Sequence, residues 1–214
     1  AACGAIAQRL SAKRHETARR VDRAVAGELQ KLGIPTPQFT TRITASPAAN
    51  GHLSVLAGGS ALGIHSRGYD LVEFFLSTNV GEEERPLAKV ASGGEISRVM
   101  LALKSVLAKS DRLPVLVFDE IDVGVSGRIA QAVGASMKSL AGFHQVIAIT
   151  HLPQIAGFAD THCVVTKKEQ NGRASTSLRR LTLDEQVREV ARLMSGAEVT
   201  EAGLAGAREL MGLR

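Results

Sequence analysis

Val90-Ala91-Ser92-Gly93-Gly94-Glu95-Ile96-Ser97-Arg98 and, further along, Val115-Leu116-Val117-Phe118-Asp119-Glu120 decide how this chain is read. In the first stretch a serine and two glycines open a segment, residues 95–109, where Ile96, Val99, Met100, Leu103, Val106 and Leu107 recur at helical spacing. A helix is therefore expected to start near Ser92. Serine is a favoured N-cap and glycine lets a second backbone approach. Free N–H groups at the positive end of the helix dipole attract an anion. A phosphate is the natural guest, although the same residues would also serve as an ordinary capped turn.

The second stretch is an apolar run that stops at two adjacent carboxylates. Such a run suits a strand buried on both faces, and the carboxyl ends of parallel strands are where open α/β sheets bind ligands. Neighbours on a strand point to opposite faces. Asp119 could thus hold Mg²⁺ while Glu120 orients and deprotonates a water. A third run, Val146-Ile147-Ala148-Ile149, ends in Thr150-His151. At the same edge of the expected sheet, His151 could donate a hydrogen bond to a terminal phosphate. Taken singly these are a capped helix, a solvated strand end and a structural histidine. Their coincidence is what points to a site.

Ser92-Gly93-Gly94-Glu95, then Asp119-Glu120, Ile121-Asp122 and Thr150-His151, resemble in order and spacing the signature motif, Walker B motif, D-loop and switch histidine of ABC-type ATPases. Within that group residues 87–98, 118–127 and 149–156 are similar to the bacterial DNA repair ATPases related to the SMC (structural maintenance of chromosomes) proteins. Transporters of the wider group usually have glutamine where this chain has Glu95. The resemblance implies an α/β fold: the carboxy-terminal lobe of an ABC/SMC-type ATPase head, with a mainly parallel core sheet and flanking helices, preceded by a coiled-coil helix. It implies ATP and Mg²⁺ as cofactors, with Asp119 holding the metal through water, Glu120 as general base and His151 on the γ-phosphate. It places Ser92, Gly93, Gly94, Glu95 and Asp122 among nucleotide-binding residues, the signature residues reaching the nucleotide of a second head.

No GxxxxGK[ST] loop occurs in the chain, and Gly58-Gly59-Ser60-Ala61-Leu62-Gly63 lacks the lysine that such a loop needs. The chain therefore reads as half a site. The resemblance implies an amino-terminal lobe carrying Walker A as the missing partner, a second head as the pairing partner, and DNA as the substrate of double-strand break repair and recombination. It also implies a cytoplasmic, nucleoid-associated setting without a membrane. Two readings compete: another ABC-type engine, disfavoured by the leading helix and Glu95, and a non-catalytic interaction module when the lobe stands alone.

Outward from the motifs, 214 residues with 44% hydrophobic content can supply a core, and no apolar run reaches the ~20 residues of a membrane helix. Residues 1–31 carry seven Lys or Arg against three acids, while the rest is nearly neutral. Ile6, Leu10, Val21, Val25, Leu29 and Leu32 form a stripe that fails near Arg14 and Thr17. A helix this polar needs a partner, and residues 1–32 are read as the return strand of an antiparallel coiled coil, with the head lobe over 33–214. Its basic excess could face nucleic acid or acids on the other coil strand. Gly33-Ile34-Pro35 ends the helix. Strands are expected over residues 39–44, 53–56 and 69–78, the first two joined through Pro47, Asn50 and Gly51. Helices follow over 128–140 and 153–158, then a hairpin around Asn171-Gly172 and two closing helices. Cys163, in an apolar run, is expected to be a buried thiol, and no structural metal is expected from the cysteine and histidine spacing.

Overall fold

A computed structural model describes residues 2–48, 53–79, 81–89, 93–170, 173–196 and 198–213, and divides the chain into two compact units, 1–92 and 93–214. The expected turn at Asn50 and Gly51, the hairpin tip Asn171-Gly172 and the predicted N-cap Ser92 lie outside the described residues.

In the first unit the leading helix α1 (Ala2–Lys31) lies on strand β1 (Gln38–Ala45), which pairs antiparallel with β4 (Asp70–Ser77) from Gln38↔Ser77 to Ala45↔Asp70. A short β5 (Arg85–Pro86) completes this sheet. The hairpin of β2 (Ser54–Ala57) and β3 (Ser60–Gly63) turns at Gly58 and Gly59, both at positive φ, as a two-residue turn matched to strand twist requires. α1 buries Ala7, Ser11, Ala18, Val25 and Leu29 along one face. The break in its apolar stripe has a cause. Arg14 pairs with Asp70 at 2.7 Å, Ser11 donates to the other Asp70 oxygen at 2.7 Å, and Asp22 accepts from both the N–H and the hydroxyl of Thr41. Polar residues interrupt the stripe because they tie α1 to β1 and β4. Ile6 and Leu10 remain exposed, as do Arg9, Lys13, Arg19, Arg20 and Arg23.

The second unit begins with α2 (Gly93–Leu107), followed by β6 (Val115–Phe118), α3 (Gly127–Leu140) and β7 (Gln145–Ala148). β6 and β7 pair in parallel from Val115↔Gln145 to Phe118↔Ala148 with α3 as the crossover, the connection a parallel pair needs. The ladder is extended at both ends, by Gln145 N–H to Pro114 O and Ile149 N–H to Phe118 O. α3 buries Ala130, Val133, Gly134, Met137 and Leu140. A short α4 (Pro153–Ala156), the hairpin β8 (Cys163–Gln170) and β9 (Arg173–Arg180), and helices α5 (Leu183–Ser195) and α6 (Glu201–Leu210) complete the unit. Val187, Val190, Ala191, Ala207 and Ala156 form one cluster, with Leu204 and Leu210 packed against it. α5 opens with a capping box between Thr182 and Glu185.

The α/β fold class stands, with corrections of detail. Parallel pairing is confined to β6 and β7 among the described residues, and the other sheets are antiparallel. β6 is covered on one face only: Leu116 and Phe118 are buried, while Val115 and Val117 are 42% and 63% exposed. Ile147 and Ile149 are open as well, and α2 turns Met100 and Leu107 outward while burying Leu101 and Ala102, which helical spacing did not single out. Cys163 is exposed rather than buried, pairing opposite Arg180 in a two-stranded antiparallel ribbon.

Candidate nucleotide site

β6 ends at Phe118, and the chain then makes a tight turn through residues 119–124 against the first turns of α2. Glu120 sits at φ 55°, the one non-glycine residue at positive φ among the described residues. A long side chain rarely adopts this left-handed conformation, and it persists only when the surroundings hold it. The turn, rather than strand alternation, therefore sets the directions of Asp119 and Glu120.

Four contacts hold this turn to α2. A Cβ on Gly93 would overlap the Glu120 carboxylate, so that side chain rests against the start of the helix. A Cβ on Gly94 would lie 2.8 Å from the carbonyl oxygen of Val123, so this glycine is required by close backbone approach. The Ser97 hydroxyl donates to Asp119 O at 2.8 Å, and Arg98 Nη1 donates to Val123 O at 2.8 Å. Arg98 is only 7% exposed, and burial holds its guanidinium below its ordinary value against the favourable charge of Glu95. Ser97 and Arg98 belong to the quoted motif but were given no task from sequence. The available signal was helical spacing, since Gly94, Arg98 and Leu101 share a buried face.

On the other side of the turn Asp122, 5% exposed, points inward. Its Oδ2 accepts from the Thr150 hydroxyl at 2.7 Å and the His151 N–H at 2.9 Å, and lies 3.0 Å from His151 Nδ1. Burial pushes the Asp122 carboxyl up, but the bonds from Thr150 and His151 together hold it below the usual range. The His151 ring is 76% exposed. The structure thus brings Gly93 to Glu120, Gly94 to the D-loop turn, and Asp122 to His151. Ser92 lies outside the described residues, and Glu95 is half-buried on α2.

Asp119 and Glu120 are exposed, and one Asp119 oxygen accepts the Glu120 N–H at 2.9 Å. The second Asp119 oxygen could reach a cation through water. Among the described residues no group of three or more His, Cys, Asp or Glu could cage a metal. The exposed Asp119 carboxylate is the kind of donor that suits a Mg²⁺ keeping most of its waters and taking further ligands from phosphates, the way this ion is usually bound.

The start of α2 packed on the turn 119–124, with His151 anchored to that turn through Asp122, belongs to the fold of the carboxy-terminal lobe of an SMC-type head domain. The fold agrees with a solved SMC head domain with coiled coil and joint from Pyrococcus yayanosii, at TM-score 0.52 and 17% identity over 86% of this chain and 30% of that one. The chain belongs to the RecN family, whose curated members are DNA repair proteins. It is 51% identical to RecN of Halalkalibacterium halodurans over 146 residues, 68% of this chain and 26% of that protein. Identity to Bacillus subtilis RecN is 41% over 86% of this chain and 32% of the relative. The Mycobacterium tuberculosis protein is 41% identical over 97% of this chain and 36% of its own length. The chain thus spans about a third of these relatives. No family model matches it.

Proposed function

We propose that this lobe is half of an ATP-hydrolysing head acting in DNA double-strand break repair and recombination, in which ATP pairs two heads and its hydrolysis releases them. The observation that carries the reading is the turn 119–124, which joins the start of α2 on one side to His151, through Asp122, on the other.

Within one head, Asp119 holds Mg²⁺ through water, Glu120 takes a proton from the attacking water, and His151 contacts the γ-phosphate. Bound Mg²⁺ supplies neutralisation of the phosphate charge. Ser92, Gly93, Gly94 and Glu95 present the start of α2 to the nucleotide held by a second head, where the free N–H groups and helix dipole favour an anion. Each head offers only part of the phosphate shell, so ATP stabilises the pairing as well as driving it.

The open apolar face supports the half-head reading. Val115, Val117, Ile147 and Ile149 on the sheet and Met100 on α2 are exposed, and an apolar cleft of about 190 Å³ lies between α2 and β6, lined by Ile96, Met100, Val117 and Phe118. Contiguous apolar surface of this kind marks an interface. Its partner is the amino-terminal lobe that carries Walker A. In α1 the exposed Ile6 and Leu10 would meet the outgoing strand of a coiled coil formed by residues 1–32, and the head lobe occupies 33–214. DNA is the macromolecular substrate and the setting is the bacterial cytoplasm at the nucleoid. No helix among the described residues is long and apolar enough to cross a membrane.

The test is Mg²⁺-dependent ATP hydrolysis by these 214 residues alone and with the amino-terminal lobe added, each with and without Glu120→Gln. The expected result is no turnover by the chain alone, turnover once the lobe is present, and loss of turnover with retained ATP-dependent pairing in Glu120→Gln. Hydrolysis by the chain alone, or undiminished turnover in the variant, overturns the assignment.

A further inference from the structure

Asp122 is the most completely engaged acid of the site. One of its oxygens accepts two hydrogen bonds, from the Thr150 hydroxyl and the His151 N–H, and lies 3.0 Å from His151 Nδ1. Thr150 is fixed in turn, because its hydroxyl oxygen accepts the Leu152 N–H at 3.0 Å. The turn that carries Asp122 is itself held on α2 by Arg98 and by the close approach at Gly94. A carboxylate offers only acceptors, so a ring nitrogen 3.0 Å from it is favoured to carry the hydrogen. Hydrogen on Nδ1 is thus the tautomer that the Asp122 carboxylate favours, which leaves Nε2 as the acceptor nitrogen of the ring. A buried acid bonded to the backbone N–H of its neighbour and 3.0 Å from that neighbour's ring nitrogen is poorly placed to touch a nucleotide and well placed to aim an imidazole.

We infer that Asp122 is a positioning residue, holding His151 in one orientation and tautomer so that Nε2 faces the γ-phosphate, rather than a ligand of the nucleotide. The inference rests on the ATPase reading above and assigns the task of this one D-loop acid within it. Thr150 shares the task by pinning the carboxylate.

The first test needs neither a variant nor ATP. In the ¹⁵N-labelled chain at about pH 8, above the usual imidazole range, His151 is expected to show a protonated Nδ1 and an unprotonated Nε2. Asp122→Asn, which keeps the shape of the side chain, should mix the tautomers. An Nε2–H tautomer in the unmodified chain overturns the inference whatever the enzyme does. In the full-length protein Asp122→Asn and His151→Gln should each lower kcat on the order of ten- to a hundredfold with KM for ATP little changed, as misplacement of a catalytic group does. The double variant should be no slower than the worse single one. A raised KM with intact kcat in Asp122→Asn would make it a nucleotide ligand and overturn the inference. Unchanged turnover in His151→Gln would end the phosphate role of the histidine, and with it the task assigned to Asp122, while leaving the tautomer result as a separate fact about the fold.

Discussion

Glu120 and Gly134 show how much of this lobe is decided by single residues in tight places. Glu120 at φ 55° stores roughly 1–3 kcal/mol of backbone strain, a cost that structures keep mostly where a side chain must be aimed. Gly134 sits where α3 crosses α4. A Cβ there would lie 2.5 Å from Phe158 Cδ2 and 3.0 Å from the carbonyl oxygen of Gln154. The ring can shift but the carbonyl cannot move freely, so Gly134→Ala is expected to destabilise the chain by about 1–3 kcal/mol. Chemical denaturation of the two chains checks this, and an unchanged or raised midpoint would show that the crossing has room. At this scale the motifs were legible because their residue types are unusual after apolar runs. The inward direction of Asp122 was not, because an acid in a turn carries no sign of which way it points.

Helix α2 makes the same argument for an element. Its N-terminal turns are pinned to the 119–124 turn, and its C-terminal part is pinned by Lys104, which bonds Asp111 at 2.5 Å. The bond from Lys104, then that from the Leu113 N–H, hold the Asp111 carboxyl below the usual range. A lowered folded value stabilises the fold fully above the unfolded value near pH 4, and this contribution is lost as pH falls through the lower folded value. Asp111→Asn should therefore melt at a lower temperature than the parent at pH 7, with the gap closing towards pH 2. A gap that persists at pH 2 would mean that the variant acts through something other than the ion pair. The helix itself was legible from its period, but the residues it buries deepest, Leu101 and Ala102, were not. α2 is apolar over more than one face, and only packing selects which face is covered. In α1 the reverse holds: the failed stripe at Arg14 was visible in sequence, and its reason, the buried Asp70 on β4, lies far along the chain.

For the molecule as a whole, the exposed face of β6 and β7 is the feature that asks for a partner. Val117 is 63% exposed, so Val117→Lys should change the stability of the chain alone by no more than about 0.5 kcal/mol. Against a docked amino-terminal lobe the same change replaces roughly 1.5 kcal/mol or more of apolar burial with an unpaired charge. Loss of association with that lobe in titration calorimetry, at unchanged melting temperature, is the expected outcome. Association at parental affinity would place the lobe's partner surface elsewhere.

The sequence by itself determined the order of motifs, the helices with strong periods, the presence of an antiparallel hairpin made by β8 and β9, and the absence of a phosphate-binding loop. These follow from local chemistry: helical and strand periods, turn residues and motif spacing are written in neighbouring positions. Only the tertiary structure decided that Glu120 leaves the strand in a left-handed turn, that Arg98 and Gly94 bind this turn to α2, that Asp122 faces His151, and that one side of the parallel pair stays open. Each of these joins residues distant in the chain, and which side chain meets which across such a gap is settled by packing.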